Sequence, residues 1–269
     1  MIIILYLPAG LVQMPTMRCS ERKSRDTWID QSPQGFWTET TWQSLTCVPP
    51  PWKAETFTAC FRNTTFWFMG DSNARMMFWQ MEKLTQCNSR EAYKSKYKIH
   101  LPLSCNVDQL GFKMAWLPHA YPLLPGTSDW TERVVKKSPR FHMEQIQRVG
   151  NDIILVHMYA HFGNYPTAIY AQHVRDLVQA VGDLHRRNPS TKVVVRGPHC
   201  WLNMVTGDYL SVAVSRILRE EFRELRDHVF YLDVWGMTFD GTECQNVHPP
   251  LYVAREITRI FLGYVCPRV

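Results

Sequence analysis

The amino-acid sequence predicts an α/β protein, a three-layer αβα sandwich built on a mostly parallel sheet. From Asn151 onward, short apolar runs alternate with longer amphipathic segments, which is the pattern of strands and helices in such folds. The apolar runs are rich in Val and Ile, which is typical of strands buried on both faces. An earlier run, residues 66–69, leads through Gly-Asp-Ser into a further amphipathic segment. Regular alternation of this kind places helices on both faces of the sheet.

Five strands are predicted in chain order, at residues 66–69, 112–117, 152–157, 192–196 and 229–234. The helices are recognised by apolar side chains that recur every three or four positions. Their apolar faces are formed by Met77, Phe78, Met81 and Leu84; by Ile169, Tyr170, Val174, Leu177, Val178, Val181 and Leu184; by Leu210, Val214, Ile217, Leu218, Phe222 and Leu225; and by Val253, Ile257, Ile260, Phe261 and Tyr264. Residues 15–60 are polar, Trp-rich and interrupted by Pro, so we expect an irregular segment there, fixed by Cys47 and Cys60. Residues 118–138 are expected to form a loop.

Length and charge narrow the class of protein. The 269 residues suit one large domain or two small ones. The net charge is +6, but the basic residues are scattered, and the densest cluster, residues 133–140, lacks interleaved aromatic side chains. We interpret this cluster as a solvated loop, with the binding of an acidic ligand as the less favoured alternative. Nucleic acid is therefore not expected as a partner.

The cysteines indicate an oxidising compartment. Eight are spread over the chain, without a Cys-x-x-Cys pair or the Cys/His spacing of a zinc site, so disulfides are expected and a metal is not. The pairing cannot be read from the sequence. The triplet Asn63-Thr64-Thr65 is an acceptor for N-glycosylation, so Asn63 is expected to carry a glycan. Both features predict the secretory pathway, in the Golgi lumen or outside the cell.

The first residues do not predict a stable membrane span. Residues 2–7 are apolar, but Pro8 and Gly10 follow, and the run is shorter than a bilayer requires. No basic residues precede it, as they would in a signal peptide. Between a degenerate signal and the edge of a longer chain, we favour the second.

Ser72 stands where a strand passes into a helix. The first backbone N–H groups of a helix are free, so such a junction can hold a nucleophile or bind an anion. A plainer interpretation is that Asp71 or Ser72 only caps the helix. Ligands of parallel sheets bind beyond the carboxyl ends of the strands, and His161, Gly197 and Asp233 also lie at or after the ends of predicted strands. This shared position favours a functional site at Ser72.

A serine nucleophile needs a base, and His248 is the best placed of the ten histidines. It lies between the last predicted strand and the last predicted helix, on the carboxyl side of the sheet. Pro249 and Pro250 follow it, which restricts the loop and keeps His248 out of the helix. We expect the Ser72 and His248 side chains to meet within hydrogen-bond distance or through one water. A purely structural histidine is the alternative.

These residues carry a resemblance. Gly70-Asp71-Ser72 after a strand, with a histidine before the terminal helix, resembles the SGNH or GDSL hydrolase superfamily. Five blocks in order narrow this to the NXPE family, the neurexophilin and PC-esterase domain family: MGDSNAR at 69–75, WLPHAYP at 116–122, AHFGNYP at 160–166, DVWGMT at 233–238 and NVHPP at 246–250. The resemblance covers the C-terminal PC-esterase domain. It divides the chain into a lead-in, residues 1–34, and an SGNH-like PC-esterase domain, residues 35–269.

The resemblance implies acyl-ester chemistry on glycans. PC-esterase relatives include O-acetyltransferases that carry the acyl group on a serine. By position, Ser72 is implied as the nucleophile and His248 as the base. The expected reaction passes an acyl group, most simply acetyl, to a hydroxyl of a glycan or glycoprotein, or to water. No bound cofactor is expected, and acetyl-CoA is a possible donor that would act as a co-substrate.

One position departs from the superfamily pattern. Members place Asp three residues before the histidine, where this chain has Gln245. Glutamine can orient the imidazole by a hydrogen bond but cannot stabilise imidazolium by charge. Asp240 or Asp233 is an alternative third member, and a weak dyad or an inactive site is another. An inactive site would make the chain a non-catalytic secreted binding or ligand-like module that retains the fold.

Further side chains are expected near the reacting atoms. The backbone N–H of Ser72 or the Asn164 side chain is a candidate donor to the oxyanion. Arg75 is expected to bind a substrate carboxylate or to brace the loop, with a salt bridge between helix and sheet as the structural alternative. The full set expected to bind the oxyanion or the substrate is Gly70, Asp71, Arg75, His161 and Asn164.

Overall fold

The computed structural model describes residues 13–89, 101–119, 137–146, 150–202, 208–239, 244 and 246–266. The strands within these ranges are β1 (Gly35–Thr38), β2 (Thr41–Ser44), β3 (Thr65–Gly70), β4 (Leu103–Val107), β5 (Phe112–Pro118), β6 (Asp152–His157), β7 (Lys192–Arg196) and β8 (Val229–Leu232). The α-helices are α1 (Ala54–Phe61), α2 (Ser72–Thr85), α3 (Pro139–Glu144), α4 (Thr167–Arg187), α5 (Tyr209–Glu221), α6 (Trp235–Thr238) and α7 (Leu251–Val265).

The central sheet has six strands in the order β4-β5-β3-β6-β7-β8. Neighbouring strands from β5 to β8 pair in parallel, whereas β4, at the edge, pairs antiparallel to β5. The prediction of a mostly parallel sheet is confirmed. All five predicted strands are present, although β8 ends at Leu232 rather than at Val234.

Helices cover both faces of this sheet, which confirms the three layers. On one face, α1, α2 and α7 pack with strand side chains that include Phe66, Phe68 and Leu155. On the other, α3, α4 and α5 pack with a set that includes Ile154 and Val156. Successive side chains of a strand point to opposite faces, so neighbouring residues of β6 belong to opposite cores.

The expectation of an irregular segment over residues 15–60 is wrong in part. β1 and β2 form an antiparallel hairpin in which Trp37 pairs with Trp42, and their rings meet edge to face with centroids 5.4 Å apart. Before the hairpin, the chain runs along β8, where Trp28 Nε1 donates to Val229 O at 2.7 Å. A covering segment of this kind protects an edge strand from pairing with other chains.

Residues 88–150 carry no clear strand or helix pattern in the sequence, apart from the strand predicted at residues 112–117. β4 was not predicted because it is a short edge strand whose side chains alternate between buried and exposed and include Ser104 and Asn106. The loop predicted over residues 118–138 falls mainly outside the described ranges. The apolar run at residues 2–7 also lies outside them.

All eight cysteines are paired, so the prediction of disulfides is confirmed. The bonds join Cys19 to Cys47, Cys60 to Cys266, Cys87 to Cys105 and Cys200 to Cys244. Cys47 and Cys60 both anchor residues 15–60, each through a different partner. Four disulfides are compatible with a secreted or lumenal protein. In the described part of the chain, no helix has the length and apolar character needed to span a bilayer.

Candidate active site

The turn between β3 and α2 fixes the position of Ser72. Gly70 ends β3 with a φ of 145°, and a Cβ there would lie 1.8 Å from His157 O, so only glycine fits. Asp71 is the N-cap of α2, and its Oδ1 accepts a hydrogen bond from Asn73 N at 2.8 Å. Ser72 is the first residue of the helix, beyond the carboxyl end of β3. The cap is therefore Asp71, which leaves Ser72 Oγ for another partner.

That partner is His248. Ser72 Oγ lies 2.6 Å from His248 Nε2, the close approach expected from the sequence. Ser72 is half-buried and His248 reaches the surface, so solvent and substrate have access to the pair. Partial burial lowers the pKa of His248, and the positive charge of Arg75 lowers it further. The negative charge of Asp71 raises the pKa, but the net shift is downward. At neutral pH the imidazole is therefore neutral and able to accept the Ser72 proton.

Asn73 joins α2 to the loop that carries the histidine. The side chain is fully buried, and its Nδ2 donates to Val247 O at 3.2 Å. Because Val247 directly precedes His248, this bond fixes the loop relative to the first turn of the helix. The backbone N–H of Asn73 binds the Asp71 cap at the same time.

A buried polar cluster lies beneath this turn. The Asp71 side chain is buried; its Oδ2 accepts from Ala160 N at 3.3 Å, and its Oδ1 lies 3.7 Å from His157 Nε2. Burial acts to raise the pKa of Asp71, but His157, its neighbouring histidines and the Asn73 N–H outweigh this effect and hold the pKa below its usual range. Asp71 is therefore a carboxylate at neutral pH. Burial lowers the pKa of His157 to about 4, so that imidazole is neutral.

Arg196 and His199 complete the buried cluster. Arg196 ends β7, its side chain is buried, and its carbonyl oxygen lies 3.2 Å from His157 Nδ1. Burial lowers the pKa of Arg196 to about 10 against the opposing effect of Asp71, so the guanidinium remains charged at neutral pH. Burial also lowers the pKa of His199 well below its usual value. One charge of each sign, Asp71 and Arg196, thus lies among neutral imidazoles.

Arg75 lies one turn beyond Ser72 on α2 and contacts two aromatic rings. Its guanidinium carbon is 4.8 Å from the ring centre of Trp79 and 5.0 Å from that of Trp116, within the range of cation–π contacts. Trp116 Nε1 also donates to Asp71 O at 3.2 Å. These contacts tie α2 to β5 and brace the turn. A role for Arg75 in binding a substrate carboxylate stays a prediction.

The other residues expected near the reacting atoms lie after β6. His161 is in the short 3-10 helix Ala160–Phe162, and its ring centroid is 4.9 Å from that of buried His119. Asn164 follows that helix and is exposed.

Asn63, the predicted glycosylation site, is also exposed, in the turn between α1 and β3.

The third member of a triad is not among the described residues. Asp240 and Gln245, the two candidates closest in sequence to His248, both lie outside the described ranges. Asp233, the remaining alternative, is the first residue after β8, and its Oδ2 lies 2.9 Å from Arg219 Nη2. Its carboxylate is therefore used for an ion pair on that side of the sheet.

Sequence reasoning missed Asn73, His157, Arg196 and His199 as parts of this site. A signal was present for three of them, because His157 and Arg196 are the last residues of predicted strands and His199 follows closely. Asn73 gave no signal, since its contact with Val247 joins residues 174 positions apart.

The arrangement is compatible with nucleophilic serine chemistry. A neutral imidazole lies within hydrogen-bond distance of a serine hydroxyl, which is the pairing of nucleophile and base. No acceptor within the described ranges binds the backbone N–H of Ser72 at the start of α2. A free N–H at a helix N-terminus suits a developing negative charge. In the same ranges, no group of three or more His, Cys, Asp or Glu side chains is arranged to hold a metal ion.

Solved structures that are similar to this chain include a GDSL-like lipase and a carbohydrate esterase. A GDSL-like lipase from Parabacteroides merdae ATCC 43184 aligns with a TM-score of 0.45 and 13% identity, over 75% of this chain and 94% of the lipase. A carbohydrate esterase, whose active site is described as displaying divergent catalytic and non-catalytic binding functions, aligns with a TM-score of 0.40 and 12% identity. That alignment covers 75% of this chain and 68% of the esterase. These TM-scores are too low to support an inference about the reaction of this chain.

The amino-acid sequence also matches the model of a protein family over most of its length. The model for the NXPE family member 4-like, C-terminal domain matches residues 42–266. The matched range contains the Ser72 turn, the His248 loop and all five sequence blocks that resemble this family. The match extends over most of the chain, and the chain therefore belongs to the NXPE family through its C-terminal domain.

Proposed function

We propose that this domain is a serine-dependent O-acyltransferase or esterase that acts on hydroxyl groups of glycans, with acetyl as the acyl group. The observation that carries the proposal is the 2.6 Å contact between Ser72 Oγ and His248 Nε2. This contact lies at the carboxyl edge of a parallel sheet, where such folds bind ligands. The lowered pKa of His248 keeps the imidazole in the form that accepts a proton.

The first half of the reaction would load the serine. His248 takes the proton from Ser72 Oγ as the oxygen attacks the carbonyl carbon of the acyl donor, and the carbonyl oxygen becomes an oxyanion. The Ser72 N–H or the Asn164 side chain, the alternatives expected from the sequence, would donate to this oxygen. When the tetrahedral intermediate collapses, the bond to the leaving group breaks and His248 returns the proton to that group. The product is an ester of Ser72.

The second half would repeat the chemistry in the other direction. A sugar hydroxyl or a water molecule gives its proton to His248 and attacks the ester carbonyl. The bond to Ser72 Oγ then breaks, and the oxygen recovers the proton from His248. Attack by a sugar hydroxyl gives an O-acyl glycan, and attack by water gives a free acid. Acetyl-CoA would serve as a donor in solution, and after transfer of its acetyl group coenzyme A would leave as the free thiol.

We place this activity in the secretory pathway, in the Golgi lumen or outside the cell. Two features support the placement. The four disulfides require an oxidising compartment to form. The glycosylation acceptor Asn63 is exposed in a turn, where a glycosyltransferase can reach it. Glycans and glycoproteins, the proposed substrates, are made in the same compartment.

Hydrolysis of 4-nitrophenyl acetate tests the chemistry without knowledge of the natural substrate. We expect Ser72→Ala and His248→Ala each to lower kcat by about a thousandfold or more, and the double variant to lower it no further, because nucleophile and base act as one unit. Ser190→Ala, a serine in the loop before β7, is the matched control and should match wild type. Additive losses, or full activity in Ser72→Ala, would defeat the proposal.

The alternative is a non-catalytic binding or ligand-like module. One observation favours it: Gln245 stands where the superfamily has an aspartate. An uncharged partner would stabilise imidazolium less well and weaken the base. If the domain is an enzyme with a weak third member, Gln245→Asp should raise kcat for the ester, or leave it unchanged if Asp240 already serves. If the domain is a binding module, neither wild type nor Gln245→Asp will hydrolyse the ester.

A further inference from the structure

A cavity separate from Ser72 lies beside the carboxyl end of β8. Its volume is about 760 Å³, and it is bounded mainly by residues 30–35, helix α5 and residues 233–239. This volume is in the range of sites for small ligands. In the sheet, β8 is the third strand from β3, and neighbouring strands lie about 4.8 Å apart, so the carboxyl ends of these two strands lie about 14 Å apart.

Two stacked aromatic rings line one side of the cavity. The ring centroids of Trp235 and Phe239 are 4.6 Å apart, with 20° between the planes. Trp235 is fixed in place, because its Nε1 donates to Asp208 Oδ2 at 2.8 Å and its backbone N–H donates to Asp233 Oδ1 at 3.1 Å. Phe239 is 57% exposed, and Val212 in the same cavity is 60% exposed. The cavity lining therefore includes exposed aromatic surface that is stacked on a fixed Trp235.

The remaining lining includes polar side chains, and its charged residues are balanced in sign. Gln34 supplies both donors and acceptors, which suit hydroxyl groups. The charged residues are three arginines, Arg216, Arg219 and Arg226, and three acidic residues, Asp30, Glu220 and Asp233. Arg219 Nη2 lies 2.9 Å from Asp233 Oδ2, so this pair is neutralised within the protein. Equal numbers of both signs favour a neutral, hydroxyl-rich ligand over a strongly anionic one.

We propose that this cavity binds a neutral sugar unit of an oligosaccharide that presents another of its hydroxyl groups to Ser72. An aromatic face is electron-rich and attracts the positively polarised C–H face of a pyranose ring. The proposal rests on the acylation of glycans proposed above and narrows its substrate class. The spacing of about 14 Å exceeds the length of one monosaccharide, so the substrate is an oligosaccharide or a longer glycan.

The test measures binding to the Ser72→Ala protein, in which the proposed turnover is absent. The probes are the neutral tetrasaccharide lacto-N-neotetraose and a sulfated heparin tetrasaccharide, each titrated in a calorimeter. We expect the neutral probe to bind and the sulfated probe to bind more weakly. Phe239→Ala should weaken binding of the neutral probe by about fivefold or more, a factor equivalent to about 1 kcal/mol.

Further variants separate stacking from general apolar contact. Phe239→Tyr keeps an aromatic face and should bind as the parent does, whereas Phe239→Leu should lose affinity like Phe239→Ala. Phe141→Ala makes the same change at an exposed phenylalanine of α3, outside the cavity, and should leave affinity unchanged. Thermal unfolding of each variant shows whether it is folded.

The outcomes distinguish this inference from the proposed function. Absence of binding by the neutral probe, preference for the sulfated probe, or equal affinity in Phe239→Ala would overturn the inference, even if wild-type protein hydrolyses 4-nitrophenyl acetate. Binding that depends on Phe239 in a protein whose wild type hydrolyses no ester would support the cavity and reject the enzyme. Loss of affinity in Phe239→Ala together with ester hydrolysis by wild type supports both.

Discussion

Asn73 Nδ2 donates a hydrogen bond to Val247 O at 3.2 Å, which joins the first turn of α2 to the residue before His248. The bond is partly buried, and it joins the two parts of the chain that carry Ser72 and His248, the proposed nucleophile and base. Because the contact between Ser72 and His248 depends on this loop, Asn73 acts on the reaction through their geometry. We infer that it is a positioning residue, and that its removal should lower the rate as well as the stability.

Asn73→Ala should therefore lower kcat for 4-nitrophenyl acetate by roughly 10- to 100-fold, since small displacements of reacting groups carry costs of this size. The free energy of unfolding should fall by only about 1–3 kcal/mol. Asn151→Ala removes a side-chain hydrogen bond at the amino end of β6, away from Ser72, and is the control. Equal effects of both substitutions on kcat would show that Asn73 has no positioning role.

The pH dependence of kcat/KM should show the lowered pKa of His248. The base acts only when neutral, so the rate rises with pH through the pKa of His248, and a lowered pKa places this rise below the ordinary histidine value of about 6.5. Arg75→Met removes a charge that lowers this pKa, so the rise should move to higher pH. Arg75→Lys keeps the charge and should not move it. A rise above pH 6.5 in wild type, or no shift in Arg75→Met, would contradict this assignment.

The disulfide between Cys60 and Cys266 should stabilise the fold more than the one between Cys87 and Cys105. The first closes a separation of 206 residues and the second one of 18. In the loop-entropy model the longer loop contributes about 2 kcal/mol more. Replacement of both cysteines of each pair by alanine, followed by denaturation in guanidinium chloride, measures the difference. A larger loss from the Cys87 and Cys105 pair would reject this ranking.

Asn63 should carry an N-linked glycan in protein secreted from eukaryotic cells. It is exposed in the turn between α1 and β3, and Thr65 completes the acceptor triplet. Intact-mass measurement should show a glycan on the wild-type protein that is absent from Asn63→Gln. The control Asn164→Gln, which replaces an exposed asparagine outside any such triplet, should keep the glycan. Secreted protein with unmodified Asn63 would refute the prediction.

The sheet could be predicted because its strands carry a strong signal of their own. Residues 152–157 and 192–196 are apolar runs buried on both faces, so tertiary contacts reinforce what the local sequence indicates. The hairpin of β1 and β2 could not be predicted in the same way. It depends on distant contacts, such as the hydrogen bond from Trp42 N to Glu256 Oε2 at 3.2 Å, which joins residues 214 positions apart.

The candidate site likewise contains residues that could be predicted from the sequence and residues that could not. Ser72 and His248 could be found because both follow from the order of strands and helices and from the rule that ligands bind at the carboxyl edge. For the buried partners beneath them, the strand ends at His157 and Arg196 indicated the right edge of the sheet, but a histidine or arginine there gives no sign of whether it is buried. Burial of Arg196 and His157 becomes apparent only in the fold, where helices cover both faces of the sheet.

Covalent labelling of Ser72 by a fluorophosphonate tests the central claim most directly, because only an activated serine reacts quickly with such a probe. We predict one adduct per molecule of wild-type protein, located at Ser72 by peptide mass spectrometry, with labelling abolished in Ser72→Ala and greatly slowed in His248→Ala. Ser190→Ala should be labelled as wild type is. Folded wild-type protein that takes up no adduct, or takes it up at a residue other than Ser72, would contradict the account.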